Sequence, residues 1–140
     1  MYFDSRRSTV LATHGMVATS QPLAAMAGVR VLMEGGNAVD AAIASAAVLN
    51  VVEPVSTGVG GDMFALIWNN EEKSVRAING SGRAPMEATI DALKAEGHTT
   101  MPQRGVHSVT VPGAVHGWET LLGSCGTMPL SHLLQPAIKY

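Results

Sequence analysis

The run Gly58-Val59-Gly60-Gly61-Asp62 is the first place in this chain where residue types and spacing could do chemistry. Glycine-rich loops expose backbone N–H groups that can cradle an anion. Here, however, an apolar strand pattern follows instead of a helix, and no Gly-Lys-Ser/Thr sequence comes after it. We therefore interpret the run as a structural turn that allows close packing. Asp62 is then a loop cap and not a catalytic acid.

The histidines and the single cysteine are the other chemically versatile side chains. The histidines are His14, His98, His107, His116 and His132. Their spacing matches no metal-ligand pattern, so we predict isolated polar or helix-surface positions and no metal site. The single cysteine, Cys125, excludes a disulfide within the chain, and we expect a buried or half-buried thiol.

Composition limits the functional classes. The 140 residues are 46% hydrophobic and only 14% charged, which predicts one domain, or a large piece of one, whose surface partly contacts other protein. The net charge is −2, and Arg6-Arg7 is too small a basic patch for nucleic-acid binding.

Two segments bear on membranes and location. The longest apolar stretch, Ala38–Val52, is interrupted by Asp40 and Asn50 and falls short of the roughly 20 residues that cross a bilayer, so it predicts a buried helix and no membrane association. Met1 to Thr9 is polar and charged where a signal peptide would be apolar. We therefore expect a cytoplasmic protein.

Caps and apolar periodicity predict the helices. Ser20 resembles an N-cap for the first helix and Gly35 its left-handed stop, while Asn37 caps the second helix with Asp40 in its first turn. The predicted helices are 22–34, one starting after Asn37, 89–96, 112–123, and one from Leu130 into Tyr140. Because this last pattern reaches Tyr140 without a stop signal, we expect the domain to be incomplete.

Alternation and turn residues predict the strands. A short strand is expected to end near Thr19, and another is expected over Val106–Val111. Met63–Trp68 is a near-continuous apolar run, so we predict a strand covered on both faces, joined by a polar turn to Ser74–Asn79. The turn-rich segment Asn79–Pro85 is a loop.

Five separated stretches resemble the start of the large subunit in γ-glutamyltransferases and their acylase relatives. They are Gly15–Ser20, Gly35–Ala44 (Gly-Gly-Asn-Ala-Val-Asp-Ala-Ala-Ile-Ala), Val52–Pro54, Gly58–Asp62 and Ser108–Gly113 (Ser-Val-Thr-Val-Pro-Gly). The similarity covers the chain from about Gly15 to Ile138, in the order of the family. Each stretch alone is weak, whereas five in order are specific.

The resemblance implies an α/β (α+β) fold, a partial αββα four-layer sandwich of the N-terminal nucleophile hydrolase type. Residues 1–140 are then the N-terminal portion of one γ-glutamyltransferase-like domain. Members of the family cut themselves into two subunits and use a threonine, with its own α-amine as base, to cleave the γ-glutamyl amide of glutathione or related compounds. The resemblance implies no cofactor.

The same resemblance places the nucleophile outside this chain. The partners are then the remaining large-subunit segment, the small subunit that carries the threonine, and a small γ-glutamyl substrate. No catalytic residue lies in these 140 residues, and the chain alone should be inactive.

A glutamyl substrate carries an α-carboxylate, which an arginine fork binds well. In better-known members this arginine lies four residues before a proline in a loop after a strand. Here Ser81 occupies that position relative to Pro85, and the arginine, Arg83, lies two residues before it. Arg83 and Ser81 are thus the candidate substrate-binding residues. An ordinary ion pair, within the loop or at an interface, is the alternative role for Arg83.

Two alternative functions stay open for the protein as a whole. One is a non-catalytic, degenerate subunit or interaction module of the same fold. The other is an acylase for a different amide, such as a β-lactam side chain.

Overall fold

The computed structural model describes residues 8–140, so Arg6-Arg7 and most of the Met1–Thr9 segment lie outside the described residues. The helices are α1 (Pro22–Met33), α2 (Ala38–Val52), α3 (Ile90–Ala95), α4 (Ala114–Cys125), α5 (Leu130–Leu133) and α6 (Gln135–Lys139). The strands are β1 (Met63–Asn69) and β2 (Ser74–Gly80), and a 3-10 turn covers Val106–Ser108.

The start of α1 differs from the prediction. The N-cap is Gln21, whose side-chain oxygen accepts a hydrogen bond from the Leu23 N–H at 2.7 Å. Ser20 instead donates its hydroxyl to the Glu53 carboxylate, which the end of α2 brings alongside. Gly35, with a φ of +93°, stops the helix as predicted.

The start of α2 confirms the predicted cap. The Asn37 side chain accepts from the N–H groups of Val39 and Asp40, and the Asp40 carboxylate accepts from the Asn37 N–H in return. This reciprocal pair satisfies N–H groups that have no partner inside the helix.

Small residues bring α1 and α2 close together. A Cβ added to Gly28 on α1 would overlap the Ser45 hydroxyl on α2, so a larger residue there would force the Ser45 side chain or the helices to move. The buried apolar residues around this contact are mostly alanine and valine, joined by Ile43 and, from the C-terminal helices, Trp118, Leu121 and Leu133. The scarcity of aromatic residues therefore corresponds to a closely packed helix pair.

The two strands form the predicted antiparallel hairpin, in a register that pairs Met63 with Gly80 and Asn69 with Ser74. One face, including Ala65 and Ile67, packs on the helices. The prediction that β1 is covered on both faces is wrong for the described chain. On the opposite face Phe64 is 69% exposed, Leu66 79% and Trp68 57%, because residues 8–140 supply helices to one side of the sheet only.

Among residues 8–140, two of the predicted strands and the single long last helix do not form. Residues 14–19 and 106–111 have no strand partner within residues 8–140, and Val106–Ser108 forms the 3-10 turn instead. The last helix is divided at Leu134 into α5 and α6, because Pro136 has no N–H with which to continue the α-helical bonding. Within the described residues, none of the helices is long and apolar enough to cross a bilayer.

Candidate functional site

The loop that follows β2 is held by the glycine-rich turn before β1. One oxygen of Asp62, Oδ1, accepts hydrogen bonds from the Gly82 N–H at 2.6 Å and from the Thr110 hydroxyl at 3.2 Å. Asp62 therefore joins three segments that are far apart in sequence, and it acts as the loop cap that the sequence predicts.

The same turn also begins α4. This helix has no side-chain cap, and the Gly61 carbonyl accepts from the N–H groups of Gly113 and Ala114 at 3.0 and 2.9 Å. The glycine-rich turn thus orders the start of a helix with a carbonyl oxygen, whereas a phosphate cradle would offer N–H groups to an anion.

The loop after β2 lies directly against residues 110–113. The Val111 N–H donates to the Arg83 carbonyl at 2.9 Å. A Cβ on Gly82 would overlap the carbonyl of Val111, and a Cβ on Gly113 would overlap that of Gly80. Both glycines are needed for close approach of the two backbones, and a larger residue at either position would separate them.

These segments enclose an open cavity of about 640 Å³, which we call the loop pocket. It is lined by the end of β2, residues 81–86, residues 111–113 and the exposed side of α4 at His116 and Thr120. Arg83 is the one permanent cation in its described lining, which contains no carboxylate. The loop pocket is therefore suited to a ligand that carries an anionic group.

Both sequence-predicted binding residues line this pocket. Ser81 is exposed, and its N–H donates to the Asn79 side chain at 2.9 Å. Arg83 is exposed, and its guanidinium makes neither a hydrogen bond nor an ion pair with any residue from 8 to 140. The alternative of an ion pair within this loop is thus not seen in the described chain, and the substrate-binding role stays a prediction.

Sequence reasoning missed two residues of this site. Thr110 supports the loop through Asp62, and His116 lines the pocket from α4. The Pro112-Gly113 pair before α4 signals a helix start, but no local pattern connects Thr110 or His116 to a loop some 30 residues earlier.

A second carboxylate joins the helical layers away from the pocket. Asp40 is fully buried and accepts from the Thr127 N–H at 3.0 Å, from the Met128 N–H at 3.2 Å, and from the Thr127 hydroxyl. Burial by itself raises the pKa of Asp40, but the Thr127 hydroxyl and three backbone N–H groups outweigh it and hold the pKa below its usual value.

Nearby, the Asn37 side chain donates to the Cys125 carbonyl at 2.6 Å, and Cys125 is the half-buried free thiol that the sequence predicts.

The histidines are not all isolated, contrary to the prediction. His107 Nε2 lies 2.9 Å from a carboxylate oxygen of Glu96, and the rings of His98 and His107 are 5.2 Å apart, edge to face. His132 contacts Glu34 at 2.8 Å. His98 and His107 are nine residues apart in the sequence, and only the turn between them brings them together with Glu96. Sequence spacing therefore does not indicate that the three residues are close.

Comparison with known proteins identifies the class. A family model described as gamma-glutamyltranspeptidase matches residues 24–140. The glutathione hydrolase-like YwrD proenzyme of Bacillus subtilis (strain 168) is 44% identical over 133 residues, 94% of this chain and 25% of that protein.

Solved structures agree with this class. The cephalosporin acylase from Bacillus halodurans superposes with a TM-score of 0.91 and 52% identity over 99% of this chain and 26% of that one. The Helicobacter pylori gamma-glutamyltranspeptidase gives a TM-score of 0.85 with 36% identity, over 94% of this chain and 38% of that one.

The chain belongs to the gamma-glutamyltranspeptidase family. Its fold is the α+β fold of the N-terminal nucleophile hydrolases, of which it forms part of the αββα sandwich. The chain spans about a quarter of the length of the curated relatives that it matches, for example 25% and 24% of two Bacillus subtilis proteins.

Proposed function

We propose that this chain is the N-terminal part of an amide-cleaving enzyme whose nucleophilic threonine lies outside the chain. The threonine hydroxyl attacks the γ-amide carbon of glutathione or a related compound, and its own α-amine takes the proton. A γ-glutamyl ester forms as the C–N bond breaks and the leaving amine takes the proton from the α-ammonium group. Water or a second amine then takes the acyl group and gives its proton back to the threonine hydroxyl. These 140 residues alone are inactive.

The loop pocket is the proposed binding site for the α-carboxylate of the acyl group. A guanidinium offers two parallel N–H donors to a carboxylate, and Arg83 has both free among the described residues. The Ser81 hydroxyl lines the same pocket and adds a donor. The observation that carries this proposal is the convergence of two of the family-like stretches, 58–62 and 108–113, on the loop that contains Arg83.

The exposed face of the hairpin supports the proposal that more protein completes the site. Phe64, Leu66 and Trp68 form an apolar surface that a second layer of a four-layer sandwich would cover. The division of the sequence into domains and the cytoplasmic location stay predictions.

A second candidate substrate is the side-chain amide of a β-lactam. The cephalosporin acylase from Bacillus halodurans shares 52% of its residues with this chain over the matched length. In addition, Ser81 stands where better-known γ-glutamyl enzymes of the family have arginine. Both features favour an acyl group other than glutamyl.

The complete gene product tests the catalytic proposal. It is incubated with a γ-glutamyl anilide and, separately, with a cephalosporin, while self-cleavage is followed on gels. Aniline release that appears together with cleavage supports the γ-glutamyl enzyme. Turnover of the cephalosporin alone supports the second candidate, and an uncleaved, inert precursor means a degenerate, non-catalytic protein.

Arg83→Ala in the cleaved enzyme tests the binding residue. We expect the KM for the preferred donor to rise by about tenfold or more, because a charge-assisted fork contributes about 1.5–3 kcal/mol, while kcat changes less. Arg83→Lys should recover part of the loss. Arg30→Ala, an exposed arginine on α1 outside the pocket lining, is the matched control. An unchanged KM in Arg83→Ala removes the assignment.

A further inference from the structure

A cluster of three metal-ligating side chains lies outside the loop pocket. We call Glu96, His98 and His107 the His98–His107 cluster. One ligand atom from each lies within 4.8 Å of the other two, and His107 Nε2 and Glu96 Oε2 are 2.9 Å apart. In a tetrahedral zinc site, ligands about 2.0–2.2 Å from the metal are about 3.3–3.6 Å from one another. Only small side-chain movements separate the cluster from that geometry.

The backbone aims these side chains at one another. Gly97, with a φ of +90°, ends α3 and turns the chain, and the His98 N–H closes the turn on the Leu93 carbonyl at 3.0 Å. Gly105, with a φ of +99°, begins the 3-10 turn that carries His107. Residues other than glycine rarely adopt such φ values, so the two glycines in the sequence favour both turns.

The turn that carries His107 is itself braced. The Ser108 hydroxyl donates to the Gly105 carbonyl at 2.8 Å, and the Ser108 N–H donates to the same carbonyl at 3.2 Å. His107 is therefore held by local bonds, and its side chain is only 31% exposed. A ligand that is already positioned loses less conformational freedom when it binds a metal.

We propose that the His98–His107 cluster binds a zinc ion with two imidazoles and one carboxylate. Imidazole nitrogen favours zinc and neighbouring transition metals, whereas magnesium and calcium prefer sites made of oxygen. Three protein ligands leave a fourth position for water. The ion links His98 to His107 and so closes the loop between them, an effect that we call the zinc clip. This loop lies just before Val111, whose N–H donates to the Arg83 carbonyl.

Zinc binding is measured on the complete gene product, without a histidine tag and stripped with EDTA. Calorimetric titration of wild type with zinc chloride should show a site that is lost, or weakened at least about tenfold, in His98→Ala, His107→Ala and Glu96→Gln. His116→Ala and His132→Ala, which remove histidines outside the cluster, should bind as wild type does. Magnesium should not compete.

Limited trypsin digestion gives a readout of the clip itself. Arg104 lies exposed between the two histidines, and zinc should slow cleavage after it several-fold in wild type but not in His107→Ala. Cleavage after Lys73, in the hairpin turn, is the internal control.

Equal zinc affinity in all variants, or no zinc binding by wild type, overturns the proposal. Circular dichroism in EDTA identifies variants that fail to fold, and for these His98→Gln or His107→Gln, which keep a polar side chain of similar size, replace the alanine variants. None of these measurements uses a substrate, so their outcome is independent of the proposed enzymatic activity.

Discussion

Asp40 and Asp62 each use a carboxylate to join distant parts of the chain, but in different surroundings. Asp40 is fully buried in the helical core and holds the loop at Thr127, whereas Asp62 is exposed and holds Gly82, which lines the loop pocket, and Thr110. Hydrogen bonds to a carboxylate, which we call a carboxylate joint, are costly to break where they are buried, because water cannot replace the lost acceptor. The hydrogen bonds of Asp40 therefore mainly stabilise the fold, and those of Asp62 mainly set the shape of the loop pocket.

The largest effect is expected for Asp40→Ala. The substitution leaves the N–H groups of Asn37, Thr127 and Met128 without their buried acceptor, so we expect a loss of about 3 kcal/mol in the free energy of unfolding. Urea denaturation of the complete gene product measures it. Asp91→Ala, at an exposed first-turn acid of α3, is the control and should change stability by about 0.5 kcal/mol or less.

Equal losses of unfolding free energy in Asp40→Ala and Asp91→Ala would contradict the stabilising role of Asp40. They would mean that burial adds nothing to the strength of its hydrogen bonds.

The next effect in size is expected for Gly82→Ala. The added Cβ would overlap the Val111 carbonyl, so residues 81–83 must move away from residues 110–113, at a cost of about 1–3 kcal/mol. Because the pocket changes shape, the KM should rise as well. Gly123→Ala on α4, where an added Cβ meets open space, should instead stabilise by about 0.5–1 kcal/mol. Wild-type stability and KM in Gly82→Ala would refute the close approach.

A smaller effect is expected for Asp62→Ala, about 1 kcal/mol, because the joint is exposed and water replaces part of it. Asp62→Asn keeps a side-chain oxygen that can accept from Gly82 and Thr110, so it should recover most of the stability and the KM. Urea denaturation and steady-state kinetics measure both variants. If Asp62→Asn folds normally but loses kcat, Asp62 takes part in catalysis and its assignment as a loop cap is wrong.

The smallest effect is a pH dependence of the stability that Asp40 contributes. The pKa of Asp40 is lowered in the folded chain from its ordinary value of 3.8, so the folded state binds fewer protons near that pH. The stabilisation is fully present above pH 3.8 and is lost as the pH falls through the folded pKa. Denaturation at a series of acid pH values should show a shallower decline in Asp40→Asn than in wild type. Identical slopes would contradict the role of the Asp40 charge.

The elements that depend on neighbouring residues were predictable from the sequence. The Asn37–Asp40 cap, the left-handed stop at Gly35 and the hairpin around residues 70–73 all rest on contacts within a few positions. The two predicted strands that do not form in the described residues share one cause. Residues 14–19 and 106–111 have strand-like composition, but a strand also needs a partner, and the described chain provides none at those places.

The site was predictable only in part. Arg83 and Ser81 were found through resemblance to a family, and the structure places both in the loop pocket, where their binding role stays a prediction. Asp62 was recognised as a cap, but nothing in the sequence says that it caps Gly82. The histidines at 98 and 107 looked unrelated, because their proximity depends on the turns at Gly97 and Gly105.

By itself, the sequence determined the family and the local elements, because caps, turns and apolar periodicity act over a few residues and the motif order is specific. Only the tertiary structure decided which segments meet: the glycine-rich turn with the Arg83 loop, Asp40 with Thr127, and Glu96 with two histidines. Such long-range contacts depend on how whole helices and strands pack, and the spacing of residues along the chain does not predict them.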